Sequence, residues 1–265
     1  MTPDFKDSTL SVSGRVATLT FERHDLRNAL TGTSLVTDIV DTVNWVNSNT
    51  DVSVLVITGE GSAFCAGGNV KEMADRSGDF KGTPEELADR YRRGIQQMPL
   101  AMAKLEVPAI AAVNGPAIGA GFDLANMCDI RIASSKAKFG ETFVNLGIIP
   151  GDGGAWFMQR LIGYQRAAEL TLTGRVIDAS EALEYGIVLE VVDPDQLLNR
   201  ANSLAEEIAS KPPHAVRMSK RLMKMAQRQE LPDFLDLCAA FQGMCHHNED
   251  HMAAVEKLLA SMSKS

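Results

Sequence analysis

The chain has 265 residues, 45% apolar and 23% charged, a composition typical of a folded globular protein long enough to bury a large core. Its 34 acidic and 26 basic residues give a formal net charge of -8 with no basic patch, which argues against nucleic acid as a partner. Four cysteines, Cys65, Cys128, Cys238 and Cys245, lack CxxC spacing, so they read as reduced thiols of a cytoplasmic protein. Met1 to Leu10 lacks the apolar centre of a signal peptide. No apolar stretch reaches the roughly 20 residues of a membrane helix, so no membrane partner is expected.

In chain order, Leu10 to Ser13 and Val16 to Phe21 alternate around Gly14-Arg15, a β-hairpin pattern. Asn28 to Asn47 carries an apolar stripe at helical spacing. Val54-Leu55-Val56-Ile57 is a continuous apolar run, suited to a strand buried on both faces. Thr83 caps and Pro84 opens one long expected helix to Leu105. Ala109 to Val113 reads as a strand, Gly119 to Met127 as a helix, and Ile130 to Ala133 as a strand. This alternation predicts an α/β fold with parallel units. Beyond Pro150 the chain is mostly helical, with helices expected at 156–162, 165–171, 179–185, 194–210, 213–228, 234–244 and 250–262. A boundary near Lys211-Pro212-Pro213 divides a core domain, 1–211, from a helical region, 212–265, that could cover a site or pack on another subunit.

Two turns carry the chemistry. Phe64-Cys65-Ala66-Gly67-Gly68-Asn69-Val70 and Asn114-Gly115-Pro116-Ala117-Ile118-Gly119-Ala120-Gly121 each follow a strand-like run and lead toward a helix. A helix start has unpartnered N–H groups and a partial positive charge. Small side chains let a ligand approach them, and two such turns facing one another would make an oxyanion hole.

These turns also carry a resemblance. Together with Arg27-Asn28-Ala29-Leu30, Cys128-Asp129, Phe139-Gly140, Leu146 to Gly151 and Leu172-Thr173-Gly174, their order and spacing resemble the crotonase, or enoyl-CoA hydratase/isomerase, superfamily. The resemblance implies a spiral of ββα units with a C-terminal helical region, assembled as a homotrimer or dimer of trimers. It implies an acyl-CoA thioester as substrate, an enolate intermediate, and no cofactor beyond the coenzyme A moiety. It assigns the oxyanion-binding N–H groups to Gly68 and Ala120, and the coenzyme A contacts to Leu26, Ala66, Gly68, Asn69 and Val70.

The acids depart from the hydratase pattern. Hydratases of this family pair two glutamates. Here the first position holds Asp123 and the second holds Phe143, which transfers no proton. Asp152 either caps the helix that follows it or supplies a catalytic carboxylate, since relatives place one at or near Gly151. Glu141, two residues before Phe143, would share its face on a strand, as a further acid or as a solvated or interface charge. Asp123 is the expected principal acid/base residue, its other reading being a surface acid of the helix. Phe143, Trp156 and Phe157 suggest an apolar substrate tail.

No phosphate-binding GK[ST], nucleophile-elbow GxSxG or complete dinucleotide fingerprint occurs. His246, His247 and His251 are interrupted by an apparent helix start, so no metal site is expected. The expected function is hydration or double-bond isomerisation of an enoyl-CoA. The alternatives are an acyl-CoA hydrolase or C–C lyase on the same fold, and a non-catalytic acyl-CoA binding subunit.

Overall fold

The structure, a computed structural model, describes residues 2–263. Strands β1 (Ser8–Ser13) and β2 (Val16–Phe21) form the expected antiparallel hairpin. Helix α1 (Leu35–Ser48) begins seven residues later than its apolar stripe suggests. The reason lies in the backbone: Arg27 and Asn28 are left-handed (φ 54° and 55°), and Leu30 N–H donates to Gly67 O at 2.7 Å. Leu30 therefore reaches the core from a loop that is bonded to the first small-residue turn.

Next come β3 (Val54–Gly59), α2 (Val70–Asp75), α3 (Pro84–Arg93) and α4 (Gln97–Lys104). The last two replace the single long helix expected from Pro84 to Leu105. At Gly94 the backbone leaves helical space (φ -103°, ψ -111°) and the chain turns. The N-terminal expectation holds: Thr83 Oγ1 accepts from Glu86 N–H and Glu86 reaches back to Thr83 N–H, a capping box.

Strands β4 (Ala109–Val113) and β5 (Ala117–Ile118) lead into α5 (Ala120–Met127), followed by β6 (Ile130–Ser134) and β7 (Lys138–Gly140). Then follow α6 (Gly154–Ile162), α7 (Tyr164–Thr173), β8 (Val176–Asp178), α8 (Ala179–Glu184) and β9 (Glu190–Val192). The chain ends in α9 (Leu197–Ala209), α10 (Pro213–Ala226), α11 (Leu231–His246) and α12 (Glu249–Met262).

The main sheet has the order β1-β2-β3-β4-β6-β9, antiparallel only at the hairpin, and a smaller sheet has the order β5-β7-β8. Strand β3 shows why its sequence is apolar at every position. Leu55 and Ile57 join the core beneath α1 and α4, while Val54 and Val56 face Leu197, Ala201 and Ala205 of α9. Each such side chain contributes about 1.5–3 kcal/mol by leaving water. The result is the α/β spiral with a helical C-terminal region. No helix among the described residues is long and apolar enough to cross a membrane.

Candidate active site

The two small-residue turns meet. Cys65 bridges to Ala117, Phe64 and Cys65 N–H donate to Pro116 O (3.1 and 3.2 Å), and Ile118 N–H donates to Cys65 O (3.0 Å). Gly121 and Gly67 make this approach possible. A Cβ on Gly121 would overlap the Cys65 carbonyl, and one on Gly67 would lie 3.1 Å from the Ala120 nitrogen. Asn69 N–H is taken by Thr31 Oγ1 at 2.7 Å, while Gly68 N–H has no backbone partner among the described residues. Ala120 N–H lies in the first turn of α5, where N–H groups point out of the helix. Both line one cavity of about 380 Å³.

Behind that cavity sit three carboxyl groups. Asp123 comes from α5, Glu141 from the residue after β7, and Asp152 from the loop before α6. Asp123 and Glu141 are fully buried and Asp152 is 2% exposed. Neither oxygen of Asp123 or of Glu141 has a donor, nor does Oδ2 of Asp152. The Asp123 and Glu141 carboxylates converge at Gly154, and Asp152 interacts with Asp123. Gly154 allows this convergence, since a Cβ there would collide with the carboxylates of Asp123 and Glu141. Burial first, then the charges of Asp152 and Glu141, push the Asp123 carboxyl well above its ordinary range. Burial pushes Glu141 up to about 7 and raises Asp152 as well. An ionised carboxylate only accepts hydrogen bonds, so these groups can bond one another only by holding protons.

The structure changes how two of the acids are read. Glu141 is not on a strand with Phe143: β7 ends at Gly140, and Thr142–Leu146 is a short 3-10 turn. Glu141 is buried against Asp123 rather than solvated, while the Phe143 ring lies against Gly119 and lines the cavity. Asp152 does not cap α6. Gly153 holds that position, with φ 108°, and no side chain bonds the helix start. Asp152 instead lines the cavity beside Ala120. Asp123 is likewise no surface acid.

The remaining expected residues, Leu26, Ala66, Asn69 and Val70, lie along the first turn and not in the cavity wall. Ala66 N–H donates to Arg27 O at 3.0 Å, so the Leu26 loop runs alongside the first turn. Leu26 and Val70 are exposed, and Asn69 Oδ1 caps α2 by accepting from Lys71 N–H at 3.1 Å. Trp156 and Phe157 do not join Phe143. They line a separate cavity between α6 and α10.

Residues 11–261 match the family described as enoyl-CoA hydratase/isomerase. The chain belongs to the enoyl-CoA hydratase/isomerase family. It is 35% identical to the short-chain-enoyl-CoA hydratase of Clostridium acetobutylicum, over 93% of this chain and 92% of that protein. It is 34% identical to the 1,2-epoxyphenylacetyl-CoA isomerase of Escherichia coli, over 94% and 93%. A crystal structure of enoyl-CoA hydratase from Bacillus anthracis superposes with a TM-score of 0.89 at 32% identity, covering 97% of each chain.

The cavity of this enoyl-CoA hydratase/isomerase family enzyme is also walled by residues that its sequence did not advertise. Tyr91, Met73 and Phe80 wall the cavity, and Gln96 Nε2 donates to Gly151 O at 2.8 Å, holding the Asp152 loop. Tyr91 lies among Arg90, Arg92 and Arg93, where no spacing marks it as facing inward. The one available signal was Gly94. A glycine inside a helical pattern costs about 1 kcal/mol and can mark a break.

Proposed function

We propose that this enzyme moves a proton on an acyl-CoA thioester through an oxyanion-stabilised enolate, and that double-bond isomerisation outpaces hydration. The observation that carries this is the buried Asp152-Asp123-Glu141 cluster behind the oxyanion N–H groups, with Phe143 in place of a second glutamate. Gly68 and Ala120 N–H groups hold the thioester oxygen. A carboxylate at the cavity wall takes a proton from Cα. The C–H electron pair passes into the carbonyl, and the oxygen's negative charge is met by the two N–H dipoles. The same proton inventory is returned at Cγ, shifting the double bond with no water consumed. Hydration needs a second positioned group to manage water, and an aromatic ring does not supply one.

The coenzyme A arm follows Leu26, Ala66, Asn69 and Val70, and no further cofactor takes part. The protein works in the cytoplasm as a homotrimer or dimer of trimers, with 212–265 as its oligomerisation and lid region. The exposed apolar side chains of α11 and α12 support this assembly.

The test compares crotonyl-CoA hydration with isomerisation of a β,γ-enoyl-CoA by the purified protein. Isomerisation should exceed hydration by a hundredfold or more, on the order of what one general acid/base group contributes. Equal or faster hydration would falsify the assignment. Thioester binding with no turnover of either compound would point instead to a non-catalytic acyl-CoA binding subunit.

A further inference from the structure

We infer that Asp152, Asp123 and Glu141 form a linear proton relay, in which Asp152 exchanges protons with the substrate, Asp123 bridges and holds a resident proton, and Glu141 is the inner positioning residue that receives it. The inference rests on the thioester reading above and assigns roles within that site.

The order of the relay follows from geometry. Asp152 lines the cavity with Gly68 and Ala120. Asp123 lies off the cavity wall and interacts with both Asp152 and Glu141. Glu141, fully buried, also lies off the cavity wall, and its carboxylate meets that of Asp123 beside Gly154. Arg90 and Arg93 line the same cavity as Asp152, but among the described residues no ion pair joins a cation to any of the three acids. Tyr91 from α3 and Cys65 from the first turn face Asp152, and burial together with its charge raises both, Cys65 to about 12. No lysine, arginine or histidine is among the leading influences on any of the three acids. Three negative charges in such a place are prohibitively costly, so protons must neutralise part of the cluster.

A resident proton gives the site a function that one buried aspartate lacks. When Asp152 takes the Cα proton, the proton it shares with Asp123 shifts inward, toward Glu141. The carboxyl facing the dienolate then carries the substrate-derived proton. Protonation of Cγ reverses both shifts. One C–H bond breaks and one forms, the total proton count is unchanged, and no oxidant or co-reactant is needed.

The experiment uses the full chain with Glu141→Gln. Infrared difference spectra of the unliganded protein near neutral pH report protonated carboxyl groups directly. Wild type should show a protonated-carboxyl band that Glu141→Gln loses or shifts. The acid limb of the kcat/KM profile should move down by about one pH unit, because removing a like charge lowers the pKa of the remaining pair. A Glu141 that is uncoupled from Asp123 and Asp152 would leave the profile unmoved. If Glu141→Gln does not fold, Asp123→Asn replaces the bridge and should lose the same band. A wild type that turns over no thioester defeats both the substrate reading and the relay. A wild type that turns it over, with band and profile unchanged in the variant, defeats the relay alone.

Discussion

Glu141 makes the stability of this protein depend on pH in an unusual direction. Its carboxyl, ordinarily near 4.5, is pushed up to about 7 in the fold, chiefly by burial. The folded protein therefore holds a proton that the unfolded chain releases between those values. The associated stability is fully present below about 4.5 and is lost as pH rises through about 7. The interval is worth at most about 3 kcal/mol. Melting curves should show wild type losing stability from about pH 5 to about pH 8, and Glu141→Gln losing less. A wild-type melting temperature that rises across that range contradicts the buried cluster. Asp123→Asn tests the chemistry: kcat should fall about a hundredfold or more while thioester binding is nearly unchanged. The sequence displayed all three acids but not their meeting. Asp123, Glu141 and Asp152 converge only after β5 pairs with β7 and Gly154 lets the α6 start approach. A residue-by-residue reading therefore gave Asp152 to a cap and Glu141 to the surface as open alternatives.

At the scale of elements, local preference and packing disagree most sharply in α5. Gly121 is a poor helix residue, and Ala in a free helix would gain about 1 kcal/mol. In this helix the added Cβ would overlap the Cys65 carbonyl, which belongs to the turn that presents Gly68. Gly121→Ala is therefore expected to lower stability by about 1–3 kcal/mol, as overpacking does. It should also weaken thioester turnover by separating the two small-residue turns. Denaturant unfolding checks the first effect, and an unchanged or raised midpoint would show that α5 can move without cost. The same contest explains which elements were legible. Strands β3 and β4 follow directly from their apolar runs because both faces are buried. The apolar stripe from Leu30 was real, but its first residues bond to the Gly67 turn instead of to their own helix. Tertiary hydrogen bonding overrode periodicity there, and Gly94 overrode it between α3 and α4.

Across the whole molecule, the C-terminal helices divide into one anchored on the core and two that pack beyond it with largely exposed side chains. Helix α10 is tied down by Arg217, which donates to Asn49 O and Val52 O (3.2 and 3.0 Å), and by buried Lys220, which donates to Val107 O and Asp129 Oδ2 (2.6 and 2.7 Å). Helices α11 and α12 bury no residue, although Leu231, Leu235, Met252 and Leu258 are each more than half exposed. Two helices with this many exposed apolar side chains offer surface of the kind a partner covers. Self-association covers it with the fewest components, because every copy brings the same helices. Sedimentation at micromolar concentration is expected to report a trimer or hexamer. The double substitution Leu235→Asp with Leu258→Asp places charges on these faces while leaving the packed core of the spiral untouched. It should lower the sedimenting mass and preserve the circular dichroism of the folded chain. A wild type that sediments as a monomer, or a double variant with undiminished mass, would show that these faces serve something other than assembly.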